Sequence, residues 1–180
     1  MVVEGPGDAG AVPILLRMLA VERHFNLPSF GRPVPANGRD KALKDGGLEG
    51  FVAAAASRPN CAAVLVLLDG EGDPVCTLGP ELLRRARSVT DKPVVVALAD
   101  PLFEAWIVGS AETVGLEKLT YNAGKTDPVG AIRRALGNRK YAKPVWQPRL
   151  TERVDVSLSL GRSASLRRLA DRLGALADGV

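Results

Sequence analysis

Two short runs of the chain, AAVLVLL at residues 62–68 and PVVVALA at residues 93–99, are apolar at every position. A strand with one solvated face alternates apolar and polar side chains, so an unbroken apolar run is the pattern of a strand covered on both faces in a parallel sheet. Each run leads into a helical pattern, residues 77–89 after the first and 101–114 after the second, where Pro101 would stand at the helix start. Apolar strands followed by helices predict an α/β fold, a Rossmann-like, mostly parallel sheet with helices on both faces. In such sheets ligands bind beyond the C-terminal ends of the strands.

The rest of the chain fits that frame unevenly. Residues 1–3 begin a strand, short against the usual length of about five to six residues, so either the natural chain starts upstream or the strand is stunted. Residues 9–25 read as a helix with Asp8 as a cap, and residues 48–57 as another. Between them lies a Pro-, Gly- and Asn-rich loop with at most one edge strand. After Thr120 a short helix at residues 127–136 precedes a proline-broken stretch. The closing helix carries Leu166, Leu169, Leu173 and Leu176 on one face. At 180 residues the chain is expected to form one domain, a core over about residues 1–118 and a basic helical C-terminal extension over about 119–180.

Charge is divided along the chain. Residues 1–132 carry 13 basic and 16 acidic side chains, whereas residues 133–172 carry 11 basic and 3 acidic ones. An acidic first part beside a basic strip suits an anionic ligand held next to a bound cation, or else the strip is a solvated face of the terminal helices. No apolar stretch reaches the length of a membrane helix and no leader pattern opens the chain, so the expectation is a cytoplasmic protein without membrane association. Cys61 and Cys76 lack zinc-site spacing and read as packed thiols. His24, the single histidine, ends the first helix and takes no catalytic role.

The acids carry the chemistry. In VLVLLDGEGD a buried strand runs straight into Asp69, Glu71 and Asp73, and in VVEGPGD the first strand runs into Glu4 with Asp8 four residues on. Like charges this close repel unless a cation lies between them. Mg²⁺ or Mn²⁺ takes oxygen ligands of this kind, and five carboxylates suffice for two ions. Asp8 serves either as a helix cap or as a ligand. Glu104, in DPLFEAW, is either a favourable acid in a first helical turn or a contact to metal or substrate. Asp100 reads as a cap for that helix, and Trp106 as core.

The order of these segments resembles a Toprim catalytic domain, the α/β module of topoisomerases, primases and overcoming-lysogenization-defect nucleases. There a glutamate follows the first strand, here Glu4, and a DxD motif follows a later one, here Asp69 and Glu71. The second DxD acid is Glu rather than Asp, and Asp73 offers another carboxylate, so either Glu71 or Asp73 is the second ligand. More narrowly, VEGPGD, VLVLLDGEGD, ALADPLFEAW, YNAGKTDP and GRSASLRRLADRL look like a bacterial Toprim-like family encoded beside AAA- or ABC-type ATPases in mobile or defence loci. The resemblance implies a metal-dependent nuclease in which Glu4 is metal ligand or general acid/base. By the same resemblance Lys125 is a basic catalytic residue, with Arg162 as second basic candidate; either is otherwise an exposed charge. It implies a nucleic-acid substrate, DNA before RNA, and an ATPase partner, and it leaves an oligomer open. The rival expectation is a non-catalytic or conditionally active subunit that docks on the neighbouring ATPase. A nucleotide-binding Rossmann protein lacks its GxGxxG turn here.

Overall fold

The computed structural model describes residues 1–26, 29–124, 127–137 and 139–179. Strand β1 (Val2–Val3) leads into α1 (Pro6–Glu22), and β2 (Val34–Pro35) into α2 (Arg39–Leu43) and α3 (Gly47–Ala56). Then β3 (Val64–Asp69) precedes α4 (Val75–Arg87), and β4 (Val94–Ala99) precedes α5 (Phe103–Val108). Four helices follow among the described residues: α6 (Pro128–Leu136), α7 (Lys143–Thr151), α8 (Val156–Arg162) and α9 (Ala164–Asp178).

The strands form one parallel sheet in the order β2-β1-β3-β4, with Val2 opposite Val66 and Val64 opposite Val94. The two apolar runs are its longest strands, and every residue of both is buried. Their alternate side chains feed two cores, as an unbroken apolar run requires. Val64, Val66, Leu68, Val94, Val96 and Leu98 pack with Leu48, Val52, Leu82 and Ala86 of α3 and α4. On the opposite face Leu65, Leu67, Val95 and Ala97 pack with Leu15 and Leu16 of α1, Phe103 and Trp106 of α5, and the later helices. Trp106 is core, as its surroundings in sequence suggest.

Several local expectations are corrected. α1 starts at Pro6, so the N-cap is Gly5 and Asp8 is the third helical residue, closing a capping box by accepting from the Gly5 N–H. α5 ends at Val108, and its N-cap is Leu102, which leaves Asp100 and Pro101 outside the helix. Just beyond its C-cap Gly109, the Ser110 hydroxyl lies 2.5 Å from the Thr113 hydroxyl and accepts from Asp155 N at 2.6 Å. The proline-broken stretch is helix α7. Pro144 sits in its first turn, where a missing N–H costs least, and only Pro148 interrupts the ladder. α2 and α8, of five and seven residues, are too short to show a period. Cys76 is exposed rather than packed, and Cys61 is half-buried.

The C-terminal part is built into the core. Leu150 of α7, Leu160 of α8 and Leu166, Leu169 and Leu173 of α9 share one buried cluster with Val3, Leu67 and Phe103. α7 lies against α1 at two glycines: a β-carbon on Gly7 would overlap the Gln147 side chain and stand 2.9 Å from Lys143 Cβ, and one on Gly10 would meet Pro148 Cγ at 2.7 Å. The GPGDAG segment is thus a docking surface for α7 as well as a helix start. Among the described residues no helix is long and apolar enough to cross a membrane.

One ion pair ties the other layer together. Arg85 of α4 donates to both carboxylate oxygens of Glu49, at 2.7 and 2.9 Å, and to the carbonyls of Leu43 and Lys44, each at 2.8 Å. The guanidinium's hydrogen bonds hold the Glu49 carboxyl down to about 2. A carboxylate depressed in the folded state stabilises above its unfolded pKa and ceases to do so as pH falls through the folded value. Arg85→Met is expected to lower unfolding free energy by about 2 kcal/mol at pH 7, below the full cost of breaking a buried pair because Glu49 is only half-buried. The deficit should narrow between pH 4.5 and 2, as read from urea melts across pH.

Candidate functional site

β1 and β3 are neighbours at the centre of the sheet, and the chain leaves β1 toward β2 but β3 toward β4. That reversal opens a crevice at the C-terminal ends of the two strands. Glu4 follows β1 and Asp69 ends β3, and the two are in contact: the Asp69 N–H donates to Glu4 Oε2 at 3.3 Å. Asp8 and Glu104 join them from the first turns of α1 and α5. Asp69, Asp8 and Glu104 are all buried, Glu104 completely.

Each acid is held by specific donors. Asp69 Oδ1 accepts from the Phe103 N–H at 2.7 Å, so it supplies the cap that α5 lacks on its own chain segment. This is the capping role expected of Asp100, which is exposed and instead donates its N–H to the Ser165 hydroxyl. The remaining donors come from α7 and the residues before it. Tyr141 donates its hydroxyl to Glu104 Oε1 at 2.8 Å. Gln147 Nε2 bridges Asp8 Oδ1 and Glu104 Oε1, each at 3.2 Å. Lys143, one helical turn before Gln147, lies 3.5 Å from Asp69 Oδ2 and 3.4 Å from Glu104 Oε1.

The cation that the repelling acids require is therefore within the chain. Burial pushes the Asp69 carboxyl up to about 8; Lys143 works against the rise, and the charges of Glu4 and Asp8 add to it. Glu4 and Asp8 are also raised, each chiefly by burial. For Lys143 burial acts to lower the pKa, but the charges of Glu104, Asp69 and Asp8 outweigh it and hold the ammonium above the ordinary lysine value. Burial and then the Glu104 charge raise the Tyr141 hydroxyl, so it stays a donor.

The other expected residues stand apart from this cluster. Glu71 and Asp73 are exposed in the turn after β3, where Arg39 of α2 pairs with both, 3.7 Å from Glu71 and closer to Asp73. The same guanidinium donates to the carbonyls of Asp69 and Gly70 at 3.1 and 3.3 Å. Arg39 thus draws those two acids to the surface while Asp69 turns inward. Arg162 donates to both oxygens of Glu112 at 2.8 and 2.9 Å and lies 4.4 Å over the Tyr121 ring. It borders a separate cleft of about 700 Å³ with Tyr121, Asp100 and Ser165. Lys125 lies outside the described residues. His24 is exposed at the end of α1.

The donors are those of a hard divalent cation, all carboxylate oxygen. Among the described residues, however, no three of these acids converge as a ready-made coordination shell. Two buried polar atoms in the cluster, Glu104 Oε2 and Gln147 Oε1, have no hydrogen-bond partner among the described residues. Glu104 Oε2 is the kind of orphan acceptor that an ion or a water satisfies. The residue types fit Mg²⁺ or Mn²⁺, with the Lys143 ammonium standing between two of the carboxylates. Such an ion would draw on Glu4, Asp8, Asp69 and Glu104, with water completing a shell that no three of them form as they stand.

Three members of the cluster escape a reading of the sequence: Tyr141, Lys143 and Gln147. The only local signal is the four-residue spacing of Lys143 and Gln147, which places both on one face once the segment is known to be helical. Lys143→Met tests the electrostatics of the cluster. A carboxyl raised in the folded state favours folding while protonated and loses that contribution as pH rises through its folded value, here between about 4 and 8 for Asp69. Removing the ammonium should steepen the decline. Thermal melts should show little change at pH 5 and a loss of about 2 kcal/mol at pH 8.5, below the full cost of a buried broken pair because Lys143 is partly exposed.

In comparisons with known proteins, no family model, curated protein or solved structure matches the chain significantly.

Proposed function

We propose that the chain is a Toprim-type, metal-dependent phosphodiesterase, a cytoplasmic nuclease acting on DNA before RNA. The observation that carries this reading is the meeting of Glu4 and Asp69 at the ends of the two central parallel strands, with Asp8 and Glu104 alongside. Bound Mg²⁺ or Mn²⁺ would supply Lewis-acid stabilisation and an activated water for phosphodiester hydrolysis. The chain's own part is to place oxygen donors and hold them still. Gln147 and Tyr141 fix Glu104, the Gly5 N–H fixes Asp8, and the Phe103 N–H fixes Asp69. Glu4, the least constrained of the four by such contacts, is the group suited to accept or return a proton.

A surface beside the cluster suits a polyanion. On α7 the half-buried Trp146 ring has Arg139 and Arg149 beside it, their guanidinium carbons 5.1 and 5.9 Å from its centre. Both arginines are exposed, and Lys140 lies next to them. Cationic groups around an aromatic ring favour phosphate and base contact together.

The second reading, a conditionally active subunit docked on an AAA- or ABC-type ATPase in a defence locus, is favoured by the position of Lys143. An ammonium already seated among the acids describes a site at rest. The two readings agree on the cluster and differ on whether the isolated chain turns over.

Plasmid nicking with Mg²⁺, Mn²⁺ or chelator is the decisive measurement. The wild type should nick with either ion, while Glu4→Gln and Asp69→Asn should each lose at least a hundredfold, and folded wild-type protein that never nicks would move the assignment to the docked subunit. Reversing the patch, with Arg139→Glu and Arg149→Glu together, should weaken single-stranded DNA binding at least tenfold. It should also flatten the salt dependence of the affinity, since two phosphate contacts are lost, by about 1.4 in log–log slope. An unchanged slope would remove the patch from the interface.

A further inference from the structure

We infer that Lys143 is a tethered competitor for the divalent ion, its ammonium occupying the position between Asp69 and Glu104 and so setting the ion affinity of the cluster. The inference rests on the metal-dependent reading above. Lys143 Nζ is 3.5 Å from Asp69 Oδ2 and 3.4 Å from Glu104 Oε1, which places one positive charge between a carboxylate at the end of β3 and one in the first turn of α5. A divalent ion held by the same two carboxylates would bring its own charge into that space. Ion and ammonium would then be neighbouring like charges in a poorly hydrated crevice, and they exclude one another.

The geometry lets the lysine leave without dismantling the site. Its side chain is 39% exposed, against 3% for Asp69 and none for Glu104, so the ammonium can swing outward along its flexible stem. The frame that remains does not depend on it. Tyr141 and Gln147 both engage Glu104 Oε1, which leaves Oε2 free to turn to an incoming ion. Gln147 also holds Asp8, and α7 stays seated on Gly7 and Gly10. Without an ion, Lys143 neutralises part of the repulsion; with one, that work passes to the ion.

The test is Mn²⁺ binding to the full chain, followed by loss of the free-ion paramagnetic resonance signal, for wild type, Lys143→Met and Lys143→Arg. Lys143→Met is expected to bind Mn²⁺ at least tenfold more tightly than wild type. Lys143→Arg, which keeps the charge, should bind no more tightly than wild type. Adding Asp69→Asn to Lys143→Met should abolish the gain. A second readout needs no variant: acylation of Lys143 by an amine-reactive acetyl ester, followed by mass spectrometry, should rise at least threefold when wild type is saturated with Mn²⁺. Equal or weaker binding by folded Lys143→Met would overturn the inference while leaving the metal reading in place, and so would Lys143 labelling that ignores bound Mn²⁺. If no variant binds Mn²⁺, the metal reading itself fails, and the inference with it.

Discussion

The ion pairing of Lys143 with Asp69 and Glu104 is the contact that balances the charge of the site. A carboxylate at the end of a buried strand loses hydration and gains nothing unless donors or a positive charge replace the water. This chain brings four such groups to one crevice, and their mutual repulsion would raise their pKa values further if nothing intervened. The compensation comes from α7, far along the chain, through one ammonium, one amide and the tyrosine just ahead of the helix. For those groups to arrive, α7 must lie closer to α1 than ordinary side chains allow. Gly7 and Gly10 provide that approach, so the packing of two helices and the electrostatics of a strand end are one constraint.

A second cation sorts the acids. Asp69, Glu71 and Asp73 alternate along five residues, and in an extended chain the three would point to one side. The strand ends at Asp69, however, and Glu71 and Gly72 both take positive φ, 50° and 90°, in the turn that follows. Gly72 makes that turn cheap, and Arg39 fixes it by gripping the carbonyls of Asp69 and Gly70 together with the two outer carboxylates. The result is one inward carboxylate and two outward ones. The Glu71 charge still adds to the raised pKa of Glu4, so this outer acid acts on the site through space rather than as part of the buried cluster.

How much of this the sequence discloses follows from which forces are local. β3 and β4 are legible because burial on both faces leaves an unbroken apolar record, and the C-terminal position of Glu4 and Asp69 follows from the parallel sheet. The burial of Glu104 and the cap that Asp69 gives to α5 depend on residues 34 and more positions apart, and no local pattern encodes them. α7 is obscured by Pro144 and Pro148, which read as breaks although one lies in the first turn and tertiary packing offsets the other. Asp8 is a different case: a capping acid in sequence is a capping acid in structure, shifted from the N-cap to the third position, and it also faces the cluster.

The excess of basic residues after position 132 also resolves into separate physical tasks. Lys143 is consumed by the acids. Arg167 and Arg172 donate to backbone carbonyls, of Leu160 and Val96, and Arg162 is committed to Glu112 and the Gly109 carbonyl. What remains for an external anion includes the exposed pair at Trp146. The same nine-residue helix thus faces the carboxylates with Lys143 and Gln147 and faces solvent with Arg149 beside Trp146.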